Sequence, residues 1–127
     1  NNAMSDLSFI QAKLLDSASV KTSMLDVCLS DIEKASTLMK SVFQSGNKFL
    51  WCGNGGSAAD AQYLSKELLG GLVDHDRQAV PSIALTTDSS FLTAWANDTD
   101  FNSIFSRQIE ALGLSGDILI ENAVVGK

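Results

Sequence analysis

Apolar residues recur at helical spacing in two stretches: Leu7, Ile10, Leu14 and Leu15, then Leu25, Cys28, Leu29, Ile32, Met39, Val42 and Phe43. The spacing predicts two N-terminal helices over about residues 5–45. Gly46 and Asn47 follow the last periodic residue and supply a helix stop. Phe49-Leu50-Trp51-Cys52 comes next, too short for a helix and without polar alternation, and reads as a central parallel strand covered on both faces. After three glycines in four positions a helical pattern resumes from about Ala58 to Leu69. Ser57 is placed to cap that helix, with Asp60 three residues on in the manner of a capping box. At about 100° per residue, Ala61, Leu64 and Leu68 form its core face, and Asp60, Tyr63 and Glu67 share the adjoining flank.

Gly70 and Gly71 end this helix, and a polar link with Asp74, His75 and Asp76 follows. Pro81 precedes a second strand, Ser82-Ile83-Ala84-Leu85, closed by Thr86-Thr87-Asp88. Phe91 to Ala96 reads as a short helix, and Asn97-Asp98-Thr99-Asp100 leads into a helical stripe of Phe101, Ile104, Phe105, Ile109 and Leu112. Gly113 and Gly116 bracket the turn into a third strand, Asp117-Ile118-Leu119-Ile120. Alternating strands and helices predict an α/β fold, a doubly wound parallel sheet with right-handed crossovers and helices on both faces. Ligands in such sheets bind at the carboxyl ends of the strands, here the glycine loop, Thr86 to Asp88, and whatever follows Ile120.

Composition narrows the function classes. A chain of 127 residues with 45% hydrophobic content lies in the single-domain range and buries roughly two-thirds of its unfolded surface. The net charge is −6 without any Lys/Arg cluster, which argues against nucleic acid or an anionic membrane surface as partner. No apolar run approaches the ~20 residues of a membrane span and the N-terminus lacks signal-peptide order, so a cytoplasmic protein is expected. Cys28 and Cys52 sit in apolar patterns without ligand spacing and are expected as buried free thiols, not as a disulfide or a zinc site. Asn1, Asn2 and Ala3 before Met4 read as an expression remnant, leaving 4–127 as one domain with its α/β core from about residue 48.

The glycine loop, Gly53-Asn54-Gly55-Gly56-Ser57-Ala58, carries the candidate chemistry. Bare backbone lets amide N–H groups approach a ligand closely, and a helix starting there turns its positive end to the same point, which suits an anion, above all phosphate. The loop also satisfies the dinucleotide pattern G-x-G-x-x-[GA], but the acidic residue wanted at the end of the next strand is misplaced: Asp74 and Asp76 fall in the link and Asp88 lies further on. A nucleoside-triphosphate loop needs a lysine that is missing here. A purely structural turn rarely needs three glycines with an Asn and a Ser.

Taken in order, GNGGSAADAQ, Glu67-Leu68, PSIALTTD, AND and FSRQIEALGLSGDILI resemble a sugar isomerase (SIS) domain, and more narrowly the phosphoheptose isomerases. The resemblance runs from the N-terminal helices to Ile120 and implies a flavodoxin-like SIS fold. It further implies a homotetramer that converts sedoheptulose 7-phosphate into D-glycero-D-manno-heptose 7-phosphate for bacterial envelope polysaccharides (lipopolysaccharide heptose), without a redox cofactor. Carried onto matching positions, it implies that Asn54, Gly55, Gly56 and Ser57 line the substrate site, with Asn97 and Asp98 contributing from a neighbouring loop. Glu67 matches the catalytic carboxylate, the base that moves a proton between adjacent sugar carbons through an enediol.

Three departures accompany the resemblance. The family's second acid/base, a late histidine, and its Ser/Thr-rich phosphate loop after the third strand have no counterpart; His75 does not match and is expected to be solvated. Zinc-binding members carry a histidine four residues before the Glu, a spacing that places both on one helical face; here that residue is Tyr63, a poor zinc ligand, so no metal site is expected although Glu67 could serve as one ligand. Glu121-Asn122-Ala123-Val124-Val125 reads like a helix joined directly to Ile120, as though residues were omitted and the fold left incomplete at its C-terminus. The alternative function is a non-catalytic SIS module for assembly or regulation, similar to the replication-initiator-associating protein.

Overall fold

The computed structural model describes residues 5–123. The expression-remnant reading of residues 1–3 and the segment 124–127 lie outside the described residues. The chain divides into two compact units, one up to Leu38 and one from Met39. In the first unit, helix α1 (Asp6–Val27) begins at Ser5, whose side chain accepts from the Ser8 amide at 3.2 Å. It ends at Cys28 and buries none of its residues. Helix α2 (Leu29–Gln44) starts immediately after, so the two expected helices meet at Cys28. Cys28 is a free thiol as expected, but it is only partly buried, because it sits at the break between two helices and not on a packed face.

The end of α2, from Met39 on, belongs to the second unit. The chain leaves it through Gly46, with the Asn47 amide bonded to Val42 O at 3.0 Å, and enters strand β1 (Phe49–Gly53). Every residue of β1 is buried. Strands β2 (Ser82–Ala84) and β3 (Ile118–Asn122) flank it in the order β2-β1-β3, both parallel to it, in the register Phe49↔Ser82 and Phe49↔Ile118. Alternation then does the sorting. Phe49 and Trp51 face one side, packing with Val42 of α2 and Ala61 of α3 (Gly56–Gly70). Leu50 and Cys52 face the other with Leu85, against Phe105 and Ile109 at the helix α5 (Ser106–Leu112). The central parallel strand and the helices on both faces are as the apolar run implied, and each large buried side chain contributes about 1.5–3 kcal/mol.

Polar groups inside this core are paired. The Trp51 indole N–H donates to Ser82 Oγ at 2.9 Å, and Ser82 Oγ lies 2.8 Å from Ser65 Oγ, tying β1, β2 and α3 together. Ser65 therefore takes the core position expected for Leu64, which is 39% exposed; Ala61, Ser65 and Leu68 form the packed face. Other boundaries also moved. Helix α4 spans Ser89–Asp98, with Asp88 accepting from the Phe91 amide at 3.0 Å, so Asn97 and Asp98 close a helix and are not in a loop. The Phe101–Leu112 stripe is interrupted: Asp100 accepts from the Ser103 amide and hydroxyl, winding Phe101–Ser103 into a 3₁₀ turn before α5. Glu121 and Asn122, expected to begin a helix, extend β3 opposite Cys52 and Gly53 because β1 still offers ladder partners there.

At the opposite end of the sheet, Asp117 joins the starts of β1 and β3. Its carboxylate accepts from the Lys48 ammonium, the Lys48 amide (3.0 Å), the Leu114 amide (2.7 Å) and Asn47 Nδ2 (3.3 Å). The Lys48 side chain foremost, then these amides, hold its pKa well below the ordinary 3.8 against the opposing effect of burial. A depressed folded-state pKa means stabilisation that is fully present above the unfolded value and lost as pH falls toward the folded one. Asp117→Asn is thus expected to cost about 2 kcal/mol at pH 7. In urea titrations at a series of pH values, the gap between variant and wild type should narrow below about pH 4.

Candidate functional site

Gly53 ends β1 where space is tightest. A Cβ there would lie 2.8 Å from the Ser57 backbone and 2.9 Å from Asn122 O, so the first turn of α3 and β3 close onto the strand end only because the residue is glycine. Gly55, at φ 57° and ψ −122°, then turns the chain into α3 as its N-cap, without any side-chain cap. Ser57 consequently lies inside the first turn, and the expected Ser57/Asp60 capping box does not form; the helix starts two residues early because the glycine supplies the turn. The Ser57 amide bonds Asn54 O, and those of Ala58 and Ala59 bond Gly55 O. The Gly55 and Gly56 amides have no hydrogen-bond partner among the described residues, which leaves donors at a helix N-terminus.

A cavity of about 480 Å³ opens there, lined by Gly53, Asn54, Gly56 and Ser57 together with Asp60, Glu121 and Asn122. Tyr63 borders a neighbouring space with Ser57, Asp60 and Glu121. Another cavity, of about 280 Å³, sets Asn54 and Gly55 against Thr93 and Ala96 of α4 and the apolar Leu92 and Phe101. Asn97 and Asp98 end α4, bonded to each other at 2.9 Å and exposed, and line none of these spaces. Asp60, Glu121 and Asn122 were not recognised as cavity residues in the sequence. Only the strand-end position of the last two offered a signal, and β3 had to be extended by two residues to place them.

Glu67 stands one turn beyond Tyr63 on α3. Its side chain is 15% exposed, far from the solvated helical Glu that an isolated helix would display. Oε1 pairs with the Lys66 ammonium, and that hydrogen bond holds the Lys66 pKa up. Oε2 is buried and has no partner among the described residues. The Lys66 ammonium also lies 4.6 Å from the centroid of the Tyr63 ring, which is on a half-exposed residue. A zinc ion does not fit this donor set: the residue one turn before the carboxylate is a tyrosine, a cation already occupies the space between them, and no group of three His, Cys, Asp or Glu converges among the described residues. His75 is exposed, with Nδ1 2.9 Å from Gly70 O, and Cys52 is a buried free thiol whose pKa is raised by burial and by Glu121. No helix among the described residues is long and apolar enough to cross a membrane.

Comparison with known proteins gives a consistent result. The SIS domain profile matches residues 16–127. The chain is 47% identical over 111 residues to a phosphoheptose isomerase of Dechloromonas aromatica, covering 87% of this chain and 56% of that protein. It is 53% identical over 96 residues to one from Synechocystis, covering 76% and 49%. Among solved structures, phosphoheptose isomerases from Neisseria gonorrhoeae (TM-score 0.83, 36% identity, 92% of this chain and 60% of that one) and Francisella tularensis (0.87, 35%, 93% and 61%) superpose on it. The chain spans about half the length of the curated relatives it matches.

Proposed function

Because this chain belongs to the SIS domain family, we propose that it forms part of a phosphoheptose isomerase that interconverts sedoheptulose 7-phosphate and D-glycero-D-manno-heptose 7-phosphate. The observation that carries the proposal is Glu67, a carboxylate on the helix that starts at the glycine loop, with one oxygen buried and without a partner among the described residues. A buried charged oxygen without a donor is costly unless a ligand meets it. In this reading Glu67 takes the proton from the carbon next to the sugar carbonyl and returns it to the neighbouring carbon, and the intervening enediol holds the developing charge against fixed donors. Asn54, Ser57 and the free amides of Gly55 and Gly56 bind substrate; the contribution of Asn97 and Asp98 rests on the resemblance alone, since they lie outside the cavities at the loop. Asp60 and Glu121 would repel a phosphate, so the part of the sugar placed beside them is its hydroxyl chain, whose O–H groups donate to carboxylates. No cofactor enters these steps.

The test is a coupled or chromatographic assay of sedoheptulose 7-phosphate turnover by the full-length protein; turnover is expected, and its absence with correct folding overturns the isomerase reading. Tyr63 at the position of the family histidine favours the second reading, a non-catalytic SIS module, which that negative result would support. The proposal includes a cytoplasmic homotetramer. Its support is α1, where Leu7, Ile10, Leu14 and Leu25 are all more than half exposed, a pattern that marks subunit contacts. Light scattering at micromolar concentration is expected to return four copies, and a monomer would refute this part.

A further inference from the structure

The polar link between α3 and β2 reads in the sequence as a solvated connection, but Arg77 within it is partly buried and turned back onto α3. Its guanidinium donates to Glu67 O through Nη2 and to Leu68 O through Nη1 at 3.0 Å, with Gln78 O also bonded at 2.9 Å. Leu68 O lies in the last turn, where carbonyls lack intrahelical partners, and Glu67 O, already bonded by the Gly71 amide at 2.9 Å, gains a second donor from the fork. The fork is itself held: Asp74 Oδ1 accepts from the amides of Asp76 (3.0 Å) and Arg77 (3.2 Å). The Val80 amide adds a second bond to Leu68 O at 3.1 Å, just before β2.

We infer that Arg77 is a positioning residue for Glu67, fixing the last turn of α3 and with it the direction of the carboxylate; this rests on the reading of Glu67 as the base. Two features assign the task to the backbone anchor. Among the described residues Glu67 Oε2 has no partner to orient it, and Oε1 is held only by Lys66, whose side chain is 62% exposed and therefore a weak tether. Arginine suits the role because one planar fork spans two consecutive carbonyls, which the single ammonium of lysine does not. Arg77 touches neither cavity at the glycine loop and is not a catalytic residue.

The experiment compares Arg77→Lys and Arg77→Met with wild type in the full-length protein, by amide hydrogen exchange and by steady-state kinetics with sedoheptulose 7-phosphate well below the melting temperature. Both variants are expected to exchange residues 67–71 faster while β1 stays protected. Both are expected to lose roughly 10- to 100-fold in kcat while KM changes little, the signature of a displaced base in an intact binding site. Arg77→Lys should recover melting temperature, since a cation still meets the helix end, without recovering kcat. Wild-type kcat in folded Arg77→Met, or unchanged exchange at 67–71, overturns the inference while leaving the isomerase standing. An inactive wild type overturns the isomerase reading and the role of Arg77 together.

Discussion

Replacing Glu67 by glutamine in the full-length protein is expected to lower kcat for sedoheptulose 7-phosphate roughly 10²- to 10⁴-fold, the usual worth of a positioned general base. Glutamine keeps the length and shape of the side chain but cannot accept a proton at neutral pH. Substrate contacts at the glycine loop remain, so KM should move little, and the loss falls on the transition state. The substitution also releases Lys66 from its partner, which matters little to stability because that lysine is mostly exposed. Tyr63→Phe is the control on the same flank: it retains the ring under the Lys66 ammonium and should leave kcat within about twofold if the hydroxyl is not used. Steady-state kinetics of both variants decide the matter. Normal turnover in Glu67→Gln would remove Glu67 from the chemistry while leaving the family intact.

Gly53→Val is expected to be the most damaging change to the fold, costing about 3 kcal/mol. The new Cβ would meet the Ser57 backbone at 2.8 Å and Asn122 O at 2.9 Å, distances at which backbone must move because neither neighbour is a flexible side chain. Either α3 lifts from the end of β1 or β3 shifts in its register. For a chain of 127 residues, a loss of this size lowers the melting temperature by roughly 10 °C. Calorimetry checks the stability. Titration with sugar phosphate checks the site, since lifting α3 displaces Asn54, Gly56 and Ser57 together. Gly55 differs: no atom lies within 4 Å of its Cβ position, so a side chain there is opposed by the positive φ alone. An unaltered melting temperature in Gly53→Val would show that the strand end is looser than these contacts require.

Much of the core was legible because burial of a parallel strand on both faces demands an unbroken apolar run, and Phe49 to Cys52 is one. The glycine loop announced itself for a similar reason: only glycine tolerates the φ of Gly55 and the close approach at Gly53. Legibility ended where a partner distant in the chain decided the outcome. Leu64 looked like core, but Ser65 takes that place because its hydroxyl meets Ser82 Oγ, 17 residues on, which in turn accepts from the Trp51 indole 31 residues away, and a satisfied hydroxyl can be buried. The capping box at Ser57 was a local rule outvoted by a glycine turn, and the end of β3 depended on ladder partners in β1.

The sequence by itself determined the alternation of strands and helices, the central place of β1, and the flank shared by Asp60, Tyr63 and Glu67, because periodicity and glycine geometry act within a few residues. Tertiary structure alone decided that Glu67 is withdrawn from water with one oxygen unpartnered among the described residues, that Arg77 reaches back to its carbonyl, and that Asp60 and Glu121 meet across one cavity. These depend on where a link folds back and how far a strand extends. Such outcomes are set by hydrogen-bond partners and close contacts between segments far apart in the chain, which no local pattern encodes.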